Sequence, residues 1–370
     1  MKLIYIAISK IPYKTAHTLL IMKMCEAFKQ CGIDVILIIP EYGNNDSTDD
    51  IFNFYGTKHK FEIIKIPFKK SPAPTLRFAY KAIRIAKNVK ANFVVSMINH
   101  VVIWATLFKI PFIIDLHGRP FSLMEKLSLK ISNYSKSLIK IVTVTQTLKN
   151  WYIKWGIQPN NIIVLPNGAD IELFPEVEYF DWKNGMPLKV GYSGHLYKGK
   201  GMEIIVEIAK YISDAEFIII GGLEEDIHYW KNKTKDILNI KFLGFIPNTK
   251  IPEMLNRLDI LLLPNQRNVF PVGGKEDIGD YTSPMKMFEY MATGKPIIAS
   301  DLPVLKEVLK DKINSILVPH NKPEEWINAI KFVQQNPELA LKIGQQARKE
   351  VEEKYNWATR AKTLIEHFKR

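Results

Sequence analysis

Cysteine is nearly absent: Cys25 and Cys31 are the only two in 370 residues. That scarcity argues against a disulfide scaffold or a cysteine-based metal cluster and favours buried thiols. Long apolar runs are missing as well. The longest, "FVVSMINHVVIWATLF" from Phe93, is broken by Asn99 and His100 and falls short of the roughly 18 residues that a membrane-spanning helix needs. The apolar run of "MKLIYIAISK" is too short for a secretory leader and reads as a first strand, so the expected location is cytoplasmic. No internal repeat and no low-complexity tract is present.

Negative charge is scarce in one half only. Residues 1–170 hold 23 Lys+Arg against 10 Asp+Glu, whereas residues 171–370 hold 28 of each. Much of the surplus lies in "TLRFAYKAIRIAKNVK", with Arg77, Lys81, Arg84 and Lys87 at helical spacing, and in "FSLMEKLSLKISNYSKSLIK", with Lys126, Lys130, Lys136 and Lys140. Basic stripes beside apolar residues suit an anionic membrane surface; the competing reading is an ordinary solvated face. Nucleic acid is not expected, because no nucleic-acid module accompanies the lysines.

What is present is a regular alternation. Seven short apolar runs in the first half ("KLIYIAIS", "DVILIIP", "FEIIKIP", "NFVVSM", "PFIIDLHG", "IVTVTQ", "NIIVLP") and six in the second ("LKVGYSGH", "AEFIIIGG", "IKFLGFI", "DILLLP", "KPIIAS", "NSILVP") are separated by helical segments. Continuously apolar strands joined by helices make doubly wound parallel sheets. The expected class is therefore α/β, with two Rossmann-like domains facing across a cleft. The boundaries read as 1–170, a linker over 171–187, a second domain over 188–354, and a C-terminal helix over 355–370 with no strand to follow. Ligands of such sheets bind beyond the carboxyl ends of the strands.

At one of those ends stands "YTSPMKMFEYMATGKPIIASD", residues 281–301. Ser283 is a good cap and Pro284 a good first residue for a helix running to Gly294. Its unpaired N–H groups and dipole suit a phosphate, and Met285, Lys286 and Glu289 share a face near that end. An acceptor-only carboxylate can hold a ribose diol; equally, a Glu in early helical turns can serve only as a dipole partner.

The segment "SPMKMFEYMATGKPIIASDLPVLKEVL" resembles the nucleotide-sugar segment of family-four retaining glycosyltransferases, enzymes of the two-Rossmann GT-B fold. The resemblance implies that Glu289 binds the donor ribose, with Ser283, Pro284, Met285 and Lys286 around it. The family's first glutamate, eight positions earlier, is Tyr281 here, which takes that place among the donor-binding candidates, with backbone amides near Ser283 to Met285 as substitutes for holding the donor sugar's hydroxyls. "VGYSGHLYKGKGMEIIVEIA" resembles the family's diphosphate turn, placing Gly194, His195 and Lys200 on the donor. His195 stands where Arg is usual and would contribute according to its protonation, near a reference pKa of roughly 6.5. "IDLHGRP" resembles the strand end whose His reaches the donor sugar, which points to His117, with Arg119 beside it as an anion contact and a candidate on the acceptor side. "VLPNGADIELF" matches a junction signature through Asn167, Gly168 and Asp170, and the turn holding Tyr13 and His17 lacks the family's Gly-Gly pair and would shape the acceptor side.

The resemblance implies transfer of a sugar from a nucleoside diphosphate sugar, UDP-sugar favoured, to a glycan or lipid-linked hydroxyl. His117, Lys200 and Glu289 are the catalytic candidates, and no metal is expected: "DAE" at 214–216 lies at the wrong end of its strand. Alternatives are a nucleotide-sugar epimerase, a phosphorylase, or a non-catalytic binding relative. The irregular segment 265–281, with Arg267 and Lys275, is a candidate sugar selector.

Overall fold

In the computed structural model, residues 1–43, 47–68, 73–120, 122–175, 187–270 and 276–369 are described. The chain divides into two units, Met1–Pro166 together with Trp357–Arg370, and Asn167–Asn356. Most of the linker segment and Lys275 lie outside the described residues.

The first unit runs β1 (Lys2–Ile6), α1 (Ala16–Gln30), β2 (Asp34–Glu41), α2 (Thr48–Tyr55), β3 (Glu62–Pro67), α3 (Pro74–Asn88), β4 (Phe93–Ser96), α4 (Val101–Leu107), β5 (Phe112–Leu116), α5 (Leu123–Ser132), β6 (Leu138–Thr143), α6 (Gln146–Lys154) and β7 (Ile162–Val164). Its sheet has the order β3-β2-β1-β4-β5-β6-β7, and every pairing is parallel. The inner strands are buried on both faces, which is why their sequences show no alternation: Leu3, Ile4, Tyr5, Ile6, Phe112, Ile113 and Ile114 are fully enclosed. Helix starts follow local chemistry. Thr15 caps α1, and Ser47 with Asp50 and Ser122 with Glu125 form capping boxes on α2 and α5.

The second unit runs β8 (Leu188–Ser193), α7 (Met202–Ala209), β9 (Ala215–Ile220), α8 (Glu224–Lys233), β10 (Ile240–Gly244), α9 (Ile251–Asn256), β11 (Ile260–Leu263), α10 (Met285–Ala292), β12 (Ile297–Ser300), β13 (Ile316–Val318), α11 (Pro323–Gln335) and α12 (Pro337–Glu353). Its parallel sheet has the order β10-β9-β8-β11-β12-β13. Each of the thirteen strands among the described residues overlaps one of the apolar runs picked out in the sequence, β6 starting three residues ahead of its run. The last helix, α13 (Trp357–Lys369), belongs to the first unit, where it packs on α1 and β6 and stacks Phe368 on Phe93 with ring centres 4.6 Å apart.

A buried ion pair holds that helix. The Asp115 carboxylate, at the end of β5, accepts two hydrogen bonds from the Arg360 guanidinium at 2.8 and 2.9 Å, and both side chains are almost wholly enclosed. Both cysteines are free thiols, Cys25 buried and Cys31 half-buried.

Candidate active site

In each sheet the chain leaves the first strand in one direction and returns to its other side later, so the strand order reverses between β1 and β4 and between β8 and β11. Loops diverge at such a switch point and leave a crevice at the carboxyl ends. In the second unit the loop after β8 carries Gly194 to Gly201, and the segment after β11 leads to α10. Both lines of sequence evidence therefore converge on one switch point.

The β8 loop is shaped by glycines that no other residue replaces without displacement. Gly199 and Gly201 have φ of 94° and 85°, and a side chain on either would collide with the carbonyl oxygen of Asn268 or Pro264. The turn is further tied to the β11 loop by Gln266 N–H donating to Gly199 O at 2.9 Å. Lys200, between the two glycines, is only 8% exposed. Its Nζ lies 5.1 Å from the centre of the Tyr197 ring, and burial brings its pKa from 10.5 down to about 8.

Lys286 approaches from α10. Its Nζ is buried, although the residue as a whole is half-buried, and it has no hydrogen-bond partner. It lies 3.7 Å from the centre of the Tyr192 ring. Burial first, and then the charge of Lys200, hold its pKa well below the lysine value, while Glu289 acts in the opposite direction. Tyr192 cannot move away: it is fully enclosed, and its hydroxyl donates to His195 O at 2.5 Å. The same strand end is pinned to α10, because Ser193 N–H donates to the Tyr290 hydroxyl at 2.6 Å.

His195 completes a basic cluster. Burial lowers its pKa, followed by the charges of Lys200 and Lys286, so it stands neutral at physiological pH and offers a hydrogen bond rather than a charge. Among the described residues no carboxylate forms an ion pair with Lys200 or Lys286. An ammonium withdrawn from water costs several kcal/mol unless a counter-charge accompanies it. A polyanionic ligand is the natural counter-charge here.

The start of α10 differs from the sequence expectation. Ser283 does not cap the helix; Pro284 occupies the cap position, with no side-chain hydrogen bond there. Asn167 has recruited Ser283 instead: its N–H donates to the Ser283 hydroxyl at 3.3 Å, and its amide nitrogen donates to Ser283 O at 2.7 Å. The junction signature thus orients the segment that leads into α10. Met285 and Glu289 are half-buried on the helix, and Tyr281 is enclosed, with 2% exposure. Arg267 is exposed.

In the first unit, His117 Nε2 lies 3.2 Å from Asp115 Oδ1, so the carboxylate that holds Arg360 also faces the imidazole. Arg119 rests over the Trp151 ring at 5.3 Å. Tyr13 is exposed, its backbone clasped by the Tyr55 hydroxyl, and His17 is exposed in the first turn of α1.

Sequence reasoning missed two features. Asp115 and Arg360 lie 245 positions apart, and nothing local links them, although a lone acid in "PFIIDLHG" was a signal. Asn99 Oδ1 and His100 Nδ1, just after β4 at the other switch point, are buried without partners. Their trace in the sequence was the polar pair that interrupts the apolar run from Phe93.

These geometries can be set beside known proteins. The model for "Glycosyltransferase Family 4" matches residues 19–173, and the model for "Glycosyl transferases group 1" matches residues 180–350. An uncharacterized glycosyltransferase of Methanocaldococcus jannaschii is 26% identical over 239 residues, 62% of this chain and 58% of that protein. The phosphatidyl-myo-inositol mannosyltransferase of Mycolicibacterium smegmatis is 22% identical over 231 residues, 61% of this chain and 55% of that protein. The matches thus span little more than half the length of these relatives. The crystal structure of Anabaena HepE in complex with UDP superposes with a TM-score of 0.77 at 16% identity, covering 100% of both chains. The fold is GT-B, the two-Rossmann class of sugar-transferring enzymes. Within it, the chain belongs to the family-four glycosyltransferases, glycosyl transferases group 1.

Proposed function

We propose that this protein transfers a glycosyl group from a nucleoside diphosphate sugar to a hydroxyl, with retention of anomeric configuration and without a metal. The observation that carries the reading is the pair of buried lysines, Lys200 and Lys286, gathered at the β8/β11 switch point, neither of which forms an ion pair with a carboxylate among the described residues. A diphosphate supplies the missing counter-charge. As the bond from the sugar to the β-phosphate breaks, charge grows on the phosphate oxygens, and the fixed ammonium groups stabilise it as it develops. Glu289, three residues beyond Lys286 on α10, holds the ribose hydroxyls, and the backbone N–H groups at the start of α10 add donors to the diphosphate.

UDP-sugar is the favoured donor; the UDP bound by HepE supports it. His117, whose Nε2 lies 3.2 Å from Asp115 Oδ1, is the candidate to contact the donor sugar, in keeping with attack of the acceptor on the same face as the departing diphosphate. Buried and unpartnered, Asn99 and His100 are suited to receive the acceptor hydroxyl. A lipid-linked glycan is the acceptor class that the basic first half favours, and the lipid named in the mannosyltransferase relative supports it. An epimerase would turn over donor with no acceptor, and a phosphorylase would require inorganic phosphate.

The test is a thermal-shift screen over UDP-, GDP-, ADP- and dTDP-sugars, followed by product analysis with the stabilising donor. Stabilisation by one nucleotide class and acceptor-dependent release of its diphosphate are expected. No shift with any of them would remove the reading.

A further inference from the structure

The two basic segments of the first unit fold into helices of opposite kinds. In α3 the apolar residues Phe78, Ala79, Ala82, Ile83 and Ala86 are buried and Arg77, Lys81, Arg84 and Lys87 point out, so its stripe is an ordinary solvated face. Helix α5 is turned the other way. Its inward face holds Ser128 and Ser132, both fully buried, with only Leu129 as a large apolar residue. The two serine hydroxyls are satisfied within the helix, donating to Met124 O at 2.8 Å and Leu129 O at 2.5 Å. Its outward face carries Leu123, Met124, Leu127 and Ile131, exposed by 73, 45, 49 and 42%, and Tyr134 just beyond the helix is 84% exposed.

Residues 123, 127, 131 and 134 recur at three or four positions and so form one continuous stripe. A contiguous apolar stripe in water marks a surface that meets something apolar. Its flanks are basic: Lys126 and Lys130 lie one position before Leu127 and Ile131, Lys130 is held over the Trp155 ring at 5.4 Å, and Lys136 is exposed just past Tyr134.

We infer that the outward face of α5 docks on an anionic lipid bilayer, with Leu123, Leu127 and Ile131 entering the boundary between headgroups and acyl chains and Lys126, Lys130 and Lys136 meeting lipid phosphates. Apolar area and adjoining positive charge are the two contributions that hold interfacial helices on such membranes. A second copy of the chain is the poorer occupant, because pairing the stripe with itself would bring lysines against lysines. The inference deepens the reading of a lipid-linked acceptor by naming the docking surface, and it can fail separately from donor binding.

The experiment is co-sedimentation of the whole chain with vesicles of phosphatidylcholine alone or with phosphatidylglycerol, at about 0.1 M and about 0.5 M salt. It is run beside the exposed-face variant Leu127→Ser/Ile131→Ser and the charge variant Lys126→Glu/Lys130→Glu. Circular dichroism and UDP titration report whether each variant keeps its fold and donor site. Wild type should sediment with the anionic vesicles and lose roughly tenfold in affinity at the higher salt. Both variants should fall by about tenfold or more while binding UDP as wild type does. Failure of wild type to sediment, or equal sedimentation of the Leu127→Ser/Ile131→Ser variant, would overturn the inference. A concentration-dependent dimer in sedimentation velocity, abolished by that variant, would also overturn it and assign the face to a second copy.

Discussion

The Lys286 ammonium lies 3.7 Å above the Tyr192 ring, inside the protein and without a hydrogen-bond acceptor. An aromatic face contributes about 2 kcal/mol to a desolvated cation, less than the cost of withdrawing it from water. A carboxylate in the ring's place would have neutralised the charge and closed the site to anions. The ring keeps the lysine in position and leaves its donors for a ligand. Lys200, held by the two glycines of its turn, lies close enough for its charge to lower the Lys286 pKa.

Replacing Lys286 with methionine should therefore separate stability from binding. Removal of a buried amine with no hydrogen-bond partner is expected to leave the melting temperature unchanged or raise it, because an unsatisfied polar group is costly to withdraw from water. Affinity for UDP should fall about 10- to 150-fold, the equivalent of about 1.5–3 kcal/mol for a charge-assisted hydrogen bond. Differential scanning fluorimetry and calorimetric titration check the two halves.

Donor affinity should also decline as the solution becomes alkaline. Lys200 is charged below about 8 and neutral above, and a bound diphosphate favours the charged form, so binding takes up a proton once pH exceeds that value. UDP affinity should drop by about tenfold between pH 7 and pH 9, and Lys200→Met should flatten the profile. Without ligand the sign is reversed for folding: the lowered pKa means that the unfolded chain binds more protons, so stability should rise from about pH 8 towards 10.5. Titrations of UDP and urea melts across that range check both.

The fold was legible because parallel strands covered on both faces leave uninterrupted runs such as "DVILIIP", bounded by turn residues. The turn that holds Lys200 was legible for a local reason, since glycines on either side of one residue before a helix mark a tight turn with positive φ. The role of Ser283 was not. Ser-Pro at a helix start is a capping signal, yet Asn167, 116 residues away, engages the serine in the folded chain. The ion pair between Asp115 and Arg360 was illegible for the same reason: its partners are brought together only by the return of α13 to the first unit. The exposed stripe of α5 was also hidden, because periodicity shows that a helix has an apolar face and cannot show which way that face is turned.

Arg360→Ala should destabilise the first unit by about 3–5 kcal/mol, since it strands the Asp115 carboxylate in the interior. Asp115→Leu/Arg360→Met should recover more than half of that loss. Urea denaturation followed by far-ultraviolet circular dichroism measures it, and an equal loss in the double variant would show that packing, not charge, holds α13.

Asn99→Ala/His100→Ala should lower kcat/KM for the acceptor by about tenfold or more, as loss of hydrogen bonds to a substrate hydroxyl does, while the affinity for UDP stays within about twofold. Initial rates at varied acceptor, beside a UDP titration, separate the two effects.

The most direct measurement is calorimetric titration of UDP and of uridine into wild type and into Lys200→Met/Lys286→Met. UDP should bind wild type far more tightly than uridine, and in the double variant, folded by circular dichroism, its affinity should fall by about 100-fold or more, towards that of the nucleoside. UDP binding to the double variant as tightly as to wild type would contradict the account.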